Sequence, residues 1–294
     1  MHIGERIREL RISKLMTQSE LAGKGITRNM LSCIENGSAN PSLSTILYIA
    51  KRLGVPAGFL LAEEGDEIVY RKMSNLSNIK RAYTAGDYRG CRNLCFSGCP
   101  KPDDEISLLL AVCDEKIAEE EFFNGRLHSS CRFFDEALNY AEKTVYPTEE
   151  IQAEAKVFFH YMERISSTLY SDVLDISQDL SVTSNSVFSH YNNALDALDG
   201  GDPSAADDFL AKVPSDAFWH RHIQIRKMIL QGEYKASIKL LLELLHAEIP
   251  LTPINLYIVL CELENCYREI EDFKEAYRYA NEKIALLEQL LKEI

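Results

Sequence analysis

The sequence predicts an all-α protein built from two parts, a compact group of five short helices followed by an array of helix pairs. Helical periodicity runs along the whole chain and almost no strand signal accompanies it. Capping residues and helix breakers divide about the first sixty residues into short segments. Beyond them, one turn pattern recurs along the chain. We therefore expect an N-terminal domain at residues 1–64 and a helical repeat domain at residues 65–294.

The segment TQSELAGKGITRNMLSCIENG, which begins at Thr17, predicts two short helices around a turn. Thr17 and Glu20 have the spacing of a capping box, in which each residue satisfies a backbone N–H of the other. The Gly-Lys-Gly of residues 23–25 ends that helix. Thr27 can cap a second helix, which Asn36-Gly37 ends. This arrangement is typical of a helix-turn-helix, with the second helix as the candidate DNA reader.

Three further helices are predicted around this pair. The first spans Ile3–Leu15, and its expected inward residues are Ile3, Ile7, Leu10 and Leu15. Another spans Leu43–Leu53, and its expected core residues are Leu43, Ile46, Leu47 and Ala50. A short last helix begins with Pro56 at its first helical position and ends at Leu61, because proline is well suited to that position.

The ordered set of motifs from Ile3 to Leu61 resembles the XRE family, the lambda-repressor type of helix-turn-helix. The motifs are Thr17-Gln18, Leu21-Ala22, Leu31-Ser32, Ile34-Glu35-Asn36-Gly37, Pro41 and Ile49-Ala50 followed by Leu53-Gly54-Val55. The resemblance implies sequence-specific DNA binding. It places Gln18, Arg28, Asn29 and Cys33 at DNA-facing positions, with Asn36 and Ser38 near the phosphates. It also implies a structural ion pair between Arg11 and Glu35.

The chemistry of the second helix agrees with a reading role. Thr27, Arg28, Asn29 and Cys33 lie on one helix face in the sequence pattern. Arginine can bond guanine through two hydrogen bonds, and asparagine can do the same with adenine. Phosphate contacts set the register of a protein on DNA without carrying sequence information. We therefore expect Arg28 and Asn29 to contribute base readout.

The charge of the chain is divided unevenly. The 294 residues carry a formal net charge of −13, but residues 1–62 hold eight Lys and Arg against four Asp and Glu. The remainder holds 24 against 41, so only the N-terminal part suits a polyanion such as a double-stranded DNA operator. No secretion signal or membrane-length apolar run is apparent. Eight irregularly spaced cysteines favour reduced thiols, and we expect a cytoplasmic protein.

A weak repeat runs through the second part. Each unit has a turn, a large residue, a small residue three positions on, and a large residue after a further three. The turns begin at Gly86, Gly125, Gly201, Gly232 and Glu271, and the small residues are Cys91, Ser130, Ala206, Ser237 and Ala276. A small residue lets two antiparallel helices approach closely. The long interval between the second and third turns indicates one degenerate unit near residues 166–171, before an irregular connection at 171–185.

This period and pattern resemble tetratricopeptide repeats. Together with the N-terminal motifs, the architecture is similar to the RRNPP group of peptide-pheromone receptors used in quorum sensing. That resemblance implies a homodimer whose concave repeat face binds a short peptide. The last helix, predicted at Phe273–Leu291, has Tyr277, Ala280, Ile284, Leu287 and Leu291 at core spacing and could cap the array or form a dimer seam.

Candidate peptide contacts lie on the predicted first helices of the repeats. Asparagine can satisfy both the N–H and the C=O of an extended peptide, aromatic rings can hold apolar side chains, and arginine can bind a terminal carboxylate. The candidates are Phe158, Tyr161, Arg164, Tyr191, Asn192, Arg226, Asn255, Tyr257, Glu262 and Asn265. The alternative function is a DNA-tethered scaffold whose repeat domain docks a partner protein.

Other functional classes have less support in the sequence. Three cysteines recur every fourth residue, at Cys91, Cys95 and Cys99. This is not the usual spacing of zinc ligands, and Cys91 already fills a packing position of the repeat. A redox regulator that uses these cysteines is a third option for the function. His220 and His222 are expected to face apart on a helix. The phosphate-loop, zinc-protease and serine-hydrolase motifs are missing from the sequence. We expect no enzyme activity, no cofactor and no metal.

Overall fold

A computed structural model of the chain describes residues 2–62, 66–99, 101–174, 183–248 and 250–292. Within these ranges the secondary structure consists of α-helices and turns, which confirms the all-α prediction. The helices group into two compact units, Met1–Ile106 and Ser107–Ile294. The first unit contains the five N-terminal helices and the first helix pair. The domain boundary at residues 64 and 65 stays a prediction.

The helices of the first unit are α1 (Ile3–Ser13), α2 (Gln18–Ala22), α3 (Arg28–Glu35), α4 (Leu43–Leu53), α5 (Ala57–Leu61), α6 (Asp66–Thr84) and α7 (Tyr88–Gly98). Those that follow are α8 (Asp104–Phe123), α9 (Leu127–Ala141), α10 (Glu149–Ile165), α11 (Val187–Asp199), α12 (Pro203–Leu210), α13 (Phe218–Leu230), α14 (Tyr234–Leu245), α15 (Pro253–Glu269) and α16 (Phe273–Leu290).

The five N-terminal helices enclose a small apolar core. Its fully buried members come from every one of these helices and include Ile7, Leu21, Leu31, Ile49 and Leu60. Burying side chains of this size is the main stabilisation of a domain with so few residues. The predicted bounds of α4 are confirmed, whereas Pro56 caps α5 from outside the helix rather than occupying its first position.

Three residues predicted to face this core lie on the surface instead. Leu15 is almost fully exposed, and Leu43 and Leu47 are more than half exposed. Leu15 follows the end of α1 at a positive φ of 56°, which turns its side chain away from the helix face. On α4 the buried face is formed by Ile46, Ile49, Ala50 and Leu53. The core face of α4 is therefore rotated from the predicted one, so Leu43 and Leu47 point to solvent.

Helices α1 and α3 approach each other closely at Gly4. A Cβ atom on Gly4 would lie 2.0 Å from the backbone oxygen of Ile34, so the two helices could not keep this distance with any other residue. Arg6, two residues further on, is buried and donates from Nη1 to the carbonyl oxygens of Leu60 and Ala62 at 3.1 and 2.6 Å. It thereby holds the end of α5 against α1.

All five turns of the predicted repeat are confirmed. Each separates two helices, and each turn residue has a positive φ: 73° at Gly86, 76° at Gly125, 79° at Gly201 and Gly232, and 61° at Glu271. The five predicted small residues are all buried on the second helix of a pair. The described helix pairs are thus α6 with α7, α8 with α9, α11 with α12, α13 with α14, and α15 with α16.

Helix α10 occupies the long interval between the second and third turns. It ends at Ile165, and residues 166–174 and 183–186 are irregular. The irregular connection predicted at 171–185 is confirmed for its described residues. The degenerate repeat unit predicted near 166–171 is not formed in the described residues, because no second helix follows α10 before residue 175. Part of that predicted connection, residues 175–182, lies outside the described residues. Asp135 on α9 holds the start of the connection by accepting hydrogen bonds from the Ser171 hydroxyl and, at 3.1 Å, from the Asp172 N–H.

The last helix packs with a different face from the one predicted. Its buried residues are Ala276, Tyr279 and Leu290, whereas Tyr277 is 71% exposed and Ile284 is 50% exposed. Tyr277 and Ile284 are at core spacing but do not pack within the chain, because α16 packs on the face that carries its small residue; a dimer seam on α16 stays a prediction. None of the described helices is long and apolar enough to cross a bilayer.

Candidate DNA-reading surface and effector cavity

The predicted helix-turn-helix is formed by α2 and α3. The Thr17 hydroxyl accepts from the Glu20 N–H at 3.2 Å, and the Glu20 carboxylate accepts from the Thr17 N–H at 2.7 Å, which confirms the capping box. The Thr27 hydroxyl accepts from the Met30 N–H at 3.1 Å and so fixes the first turn of α3. The N-terminus of the candidate reading helix therefore starts at a defined residue.

A buried ion pair connects α1 to both helices of the motif. Arg11 donates to Glu35 through two parallel hydrogen bonds of 2.7 and 3.0 Å, which confirms the predicted pair. Gln18 donates to the same carboxylate at 2.8 Å, and the Glu35 side chain is 1% exposed. Burial opposes ionisation of Glu35, but the hydrogen bonds from Arg11 and Gln18 and the Arg11 charge lower the pKa of this carboxyl. The network fixes α2 and α3 relative to α1.

Helix α4 holds the turn between α2 and α3. The Tyr48 hydroxyl donates to the Ala22 carbonyl oxygen at 2.8 Å and accepts from the Gly25 N–H at 3.0 Å. A Cβ atom on Gly25 would lie 2.3 Å from the Tyr48 ring, so the backbone can approach this ring only without a side chain. Arg52 also donates to the Glu20 carbonyl oxygen. The turn is thus supported at both ends by one neighbouring helix.

The candidate DNA-facing side chains form one exposed surface. Thr27, Arg28, Asn29, Cys33, Asn36 and Ser38 are exposed, and Gln18 is half-buried. The Ser38 hydroxyl donates to the Cys33 carbonyl oxygen at 3.0 Å, so it also closes the C-terminal end of α3. Gln18 has its amide committed to Glu35, and a DNA contact by Gln18 would use its remaining hydrogen-bonding capacity.

A cavity of about 320 Å³ opens in the second unit, between the first helices of successive pairs and α10. Six of the ten candidate peptide contacts line it, from four different helices. We call it the arginine cavity, and its lining residues are Tyr161, Arg164, Ile165, Tyr191, Leu195, Asp199, His222, Arg226, Tyr257, Ile258, Cys261 and Glu262. These six candidates, chosen by residue type on the predicted first helices, lie up to about a hundred positions apart in the chain, yet they line one cavity.

A continuous network of polar groups crosses this cavity. Arg226 donates from Nη1 to both Glu262 oxygens at 3.1 Å and from Nη2 to Asp199 Oδ1 at 3.4 Å. Arg164 Nη2 donates to the other Asp199 oxygen at 2.6 Å and lies 2.9 Å from Asp196 Oδ1. The network joins α10, α11, α13 and α15, and it continues to His160, whose Nε2 lies 3.1 Å from Asp196 Oδ2.

At the inner end of the network, three buried groups from three helices meet. The Tyr191 hydroxyl lies 3.0 Å from His222 Nδ1, and His222 Nε2 lies 3.5 Å from Glu262 Oε1. Burial opposes ionisation of Glu262, but the nearby His222 imidazole and the charge of Arg226 lower the pKa of this carboxyl. Burial raises the pKa of the Cys261 thiol to about 11 and also raises the pKa of Tyr191. The cavity therefore presents two carboxylates, two guanidinium groups, one imidazole, and neutral hydroxyl and thiol groups.

The other four candidate peptide contacts do not line the arginine cavity. Phe158 lines a neighbouring cavity, and Asn265 accepts from Arg268 at 2.9 Å. Asn192 is buried and donates to the Val157 carbonyl oxygen at 3.1 Å. Asn255 is also buried, and within the described ranges neither its Oδ1 nor that of Asn192 has a hydrogen-bond partner. The two amides are placed between helices rather than on an open surface.

Sequence reasoning missed three polar members of the cavity, Asp199, His222 and Cys261. His222 was interpreted as structural, and the prediction that it faces apart from His220 is confirmed: His220 lies 3.1 Å from the Val213 carbonyl oxygen. The available signal was spacing, because His222 precedes Arg226 by four residues and Cys261 follows Tyr257 by four.

The neighbouring cavity, of about 460 Å³, has a more acidic lining. Its walls include Glu115, Glu119, Glu150 and Glu154, and the rings of Phe123, Phe158, Phe188 and Trp219. Burial raises the pKa of Glu115 to about 7. The Phe158 and Phe188 rings are 4.6 Å apart, and the Phe188 and Trp219 rings are 5.4 Å apart. Across the described ranges, no group of three or more His, Cys, Asp or Glu side chains is arranged to hold a metal ion.

Comparison with known proteins identifies the N-terminal domain. Residues 7–60 match the helix-turn-helix family. The cryptic phage CTXphi transcriptional repressor RstR of Vibrio cholerae is 32% identical over 76 residues, which are 26% of this chain and 68% of the repressor. The chain belongs to this helix-turn-helix family. The immunity repressor protein of Bacillus phage phi105 is 28% identical over 132 residues, 43% of this chain and 92% of that protein.

Solved structures similar to this helix-turn-helix protein span nearly its whole length. The complex of Bacillus thuringiensis PlcR with the peptide PapR7 and DNA is 15% identical, covers 99% of both chains and has a TM-score of 0.24. The complex of ComR from S. thermophilus with DNA and its signalling peptide ComS is 18% identical, covers 97% of this chain and 99% of that chain and has a TM-score of 0.23.

Proposed function

We propose that the chain is a transcriptional regulator that binds an operator through α3 and is controlled by a short peptide bound in its repeat domain. The DNA-binding part of this proposal rests on the exposed side chains of α3. Arg28 and Asn29 stand at the N-terminus of a capped helix, where the side chains of a reading helix reach base edges. The buried network of Arg11, Gln18 and Glu35 holds that helix in place.

The arginine cavity supports the peptide part of the proposal. Aromatic rings, apolar side chains and a few placed polar groups converge there from four helices, which is the usual composition of a ligand site. A ligand that contacts four helices at once can change their relative positions, and such a change can alter DNA binding. Catalysis is not part of this proposal, and the proposed site of action is the cytoplasm, where the operator is.

The proposed regulator is a homodimer. Two reading helices about one DNA turn apart would bind a two-fold symmetric operator. The exposed residues Phe273, Tyr277 and Ile284 of α16 provide an apolar stripe that could pair with the same stripe of a second chain. Sedimentation of the full chain in the absence of DNA would test this, and a monomer at micromolar concentration would contradict it.

Substitution at Arg28 tests the DNA-reading surface. Operator sequences are first selected from random duplexes with the full chain, and affinities are then measured by fluorescence anisotropy. We expect Arg28→Ala to weaken binding by about 1–3 kcal/mol and to relax the preference at one base position. We expect Asn36→Ala, at a predicted phosphate contact, to weaken binding to all duplexes alike. An unchanged Arg28→Ala selection would contradict the assignment of Arg28.

Mass spectrometry tests the effector. The full chain is isolated from its own host, and any non-covalent ligand released on denaturation is identified. A discrete peptide of about five to ten residues, which then changes operator affinity when added back, is the expected result. A larger protein that co-purifies, with no peptide in cells at low or high density, would instead support the DNA-tethered scaffold.

A further inference from the structure

One carboxylate of the chain joins the two arginines of the arginine cavity. Asp199, the last residue of α11, accepts from Arg164 at 2.6 Å with one oxygen and from Arg226 at 3.4 Å with the other. These guanidinium groups come from α10 and α13, so two helices direct their donors to one position. Paired donors on both oxygens of a carboxylate are the geometry with which proteins bind carboxylate ligands.

Asp199 is the most replaceable partner in this arrangement. Its side chain is 44% exposed, and exposed ion pairs contribute little to stability. Without Asp199, Arg226 still has the buried Glu262, and Arg164 still has Asp196 at 2.9 Å. If the Asp199 side chain turned towards solvent and a ligand carboxylate took its place, each arginine would keep one acidic partner of the chain beside the ligand.

The walls beside the two arginines suit the last residue of a peptide. Ile165, Leu195 and Ile258 supply apolar surface next to the rings of Tyr161 and Tyr257. The volume of about 320 Å³ lies at the lower end of the range of ligand cavities, roughly 300–1,000 Å³. It therefore fits the end of a peptide better than a whole one. An apolar side chain next to a free α-carboxylate has both features that this lining offers.

We infer that the arginine cavity binds the free C-terminal carboxylate of a short peptide whose last side chain is apolar, and that this carboxylate takes the place of Asp199 between Arg164 and Arg226. This inference rests on the proposed peptide control of the repeat domain, and it specifies the end of the peptide that the cavity recognises. A peptide with an amidated C-terminus would lack the charge that exchanges with Asp199.

The test uses N-acetyl-leucine and N-acetyl-leucinamide, which differ only in the carboxylate, and measures their affinities for the full chain by ligand-observed NMR titration. We expect the acid to bind at least five-fold more tightly than the amide. Asp199→Asn, which keeps the size of the side chain but removes its charge, should strengthen binding of the acid about three-fold and leave the amide unaffected. Arg164→Gln should abolish the preference for the acid. Arg221→Gln, an exposed arginine on α13 outside the cavity, is the matched control and should change nothing.

Equal binding of acid and amide, no binding of either, or an Asp199→Asn variant with unchanged preference would overturn the inference. The proposed function would survive that result if a peptide still changed operator affinity. Conversely, an acid preference that depends on Arg164 and Asp199, found in a chain whose DNA binding responds to no peptide, would support the carboxylate site and overturn peptide control. Inorganic phosphate that binds as tightly as N-acetyl-leucine would show a general anion site and would also overturn the inference.

Discussion

At the scale of single residues, Glu35 is the group on which the DNA-reading motif depends most. Its carboxylate accepts three hydrogen bonds, from Arg11 on α1 and from Gln18 on α2, although it belongs to α3. A buried ion pair need not stabilise a fold more than apolar residues would, but loss of one partner leaves the other charge buried and unpaired. Glu35 therefore fixes the geometry of the motif more than it adds net stability.

We expect Glu35→Gln to destabilise the packing of α1 against α3 by about 3 kcal/mol, because Arg11 would keep its charge but lose the opposite charge and one of its two acceptor oxygens at position 35. Hydrogen–deuterium exchange of the full chain measures this, as amides in α1 and α3 should exchange roughly a hundredfold faster. Glu9→Gln, at an exposed position of α1, is the control. Equal exchange in the two variants would contradict the role given to Glu35.

The same substitution has a predictable pH dependence. Because the pKa of Glu35 is lowered in the folded chain, its stabilising contribution is present above the ordinary value of about 4.3 and is lost as pH falls through the lower folded value. Protection of α1 and α3 should therefore decline at acidic pH in the wild type, and the decline should be smaller in Glu35→Gln.

At the scale of helices, the repeat was predictable because its signal is local. A turn that needs a positive φ favours glycine, and the close approach of two helices needs a small residue. Both requirements can therefore be recognised in the sequence as residue types at fixed positions. Four of the five turns carry glycine, and Glu271 adopts the same conformation at a φ of 61°. The pattern therefore identified these helix pairs without knowledge of their packing partners.

Packing faces and cross-helix pairs were less predictable, since they depend on which helix lies opposite. Leu43 and Leu47 satisfy helical spacing as well as Ile46 does, but only Ile46 has other helices packed over it. In the arginine cavity, too, residues that act through a partner on another helix were not predictable from the sequence. Tyr161 and Arg226 were identified from their residue type and helix, whereas Asp199 matters only because Arg164 and Arg226 lie beside it.

We expect the buried small residues to be necessary for pairing of the helices. Ala206 on α12 is fully buried, and Ala206→Leu should lower the free energy of unfolding by about 1–3 kcal/mol through overpacking. Ser204→Leu, at an exposed position of the same helix, should have little effect. Urea unfolding followed by the fluorescence of Trp219, the single tryptophan, reports on this part of the chain. Equal midpoints for the two variants would refute close packing at Ala206.

At the scale of the whole molecule, the distribution of charge along the chain determines whether it can bind DNA more than the net charge does. A chain with a net charge of −13 should avoid DNA if its charge were uniform, but the excess of basic residues is confined to the N-terminal 62 residues. Charge interactions in water are screened within about 8–10 Å at physiological salt. The local basic surface can therefore contact phosphates while acidic residues elsewhere on the chain have little influence.

Operator binding should consequently depend on salt as it does for a basic protein. If a dimer makes about six or more phosphate contacts, its affinity should fall by roughly a thousandfold between 50 and 200 mM salt, because counterions are released from the DNA on binding. Glu248→Gln, at an exposed position of the acidic part, should leave the slope of log affinity against log salt unchanged. Titrations by fluorescence anisotropy at several salt concentrations measure this slope. An affinity that does not change with salt would mean that the N-terminal charges do not face phosphates. Tighter operator binding by Glu248→Gln than by the wild type would mean that the acidic part opposes DNA binding directly.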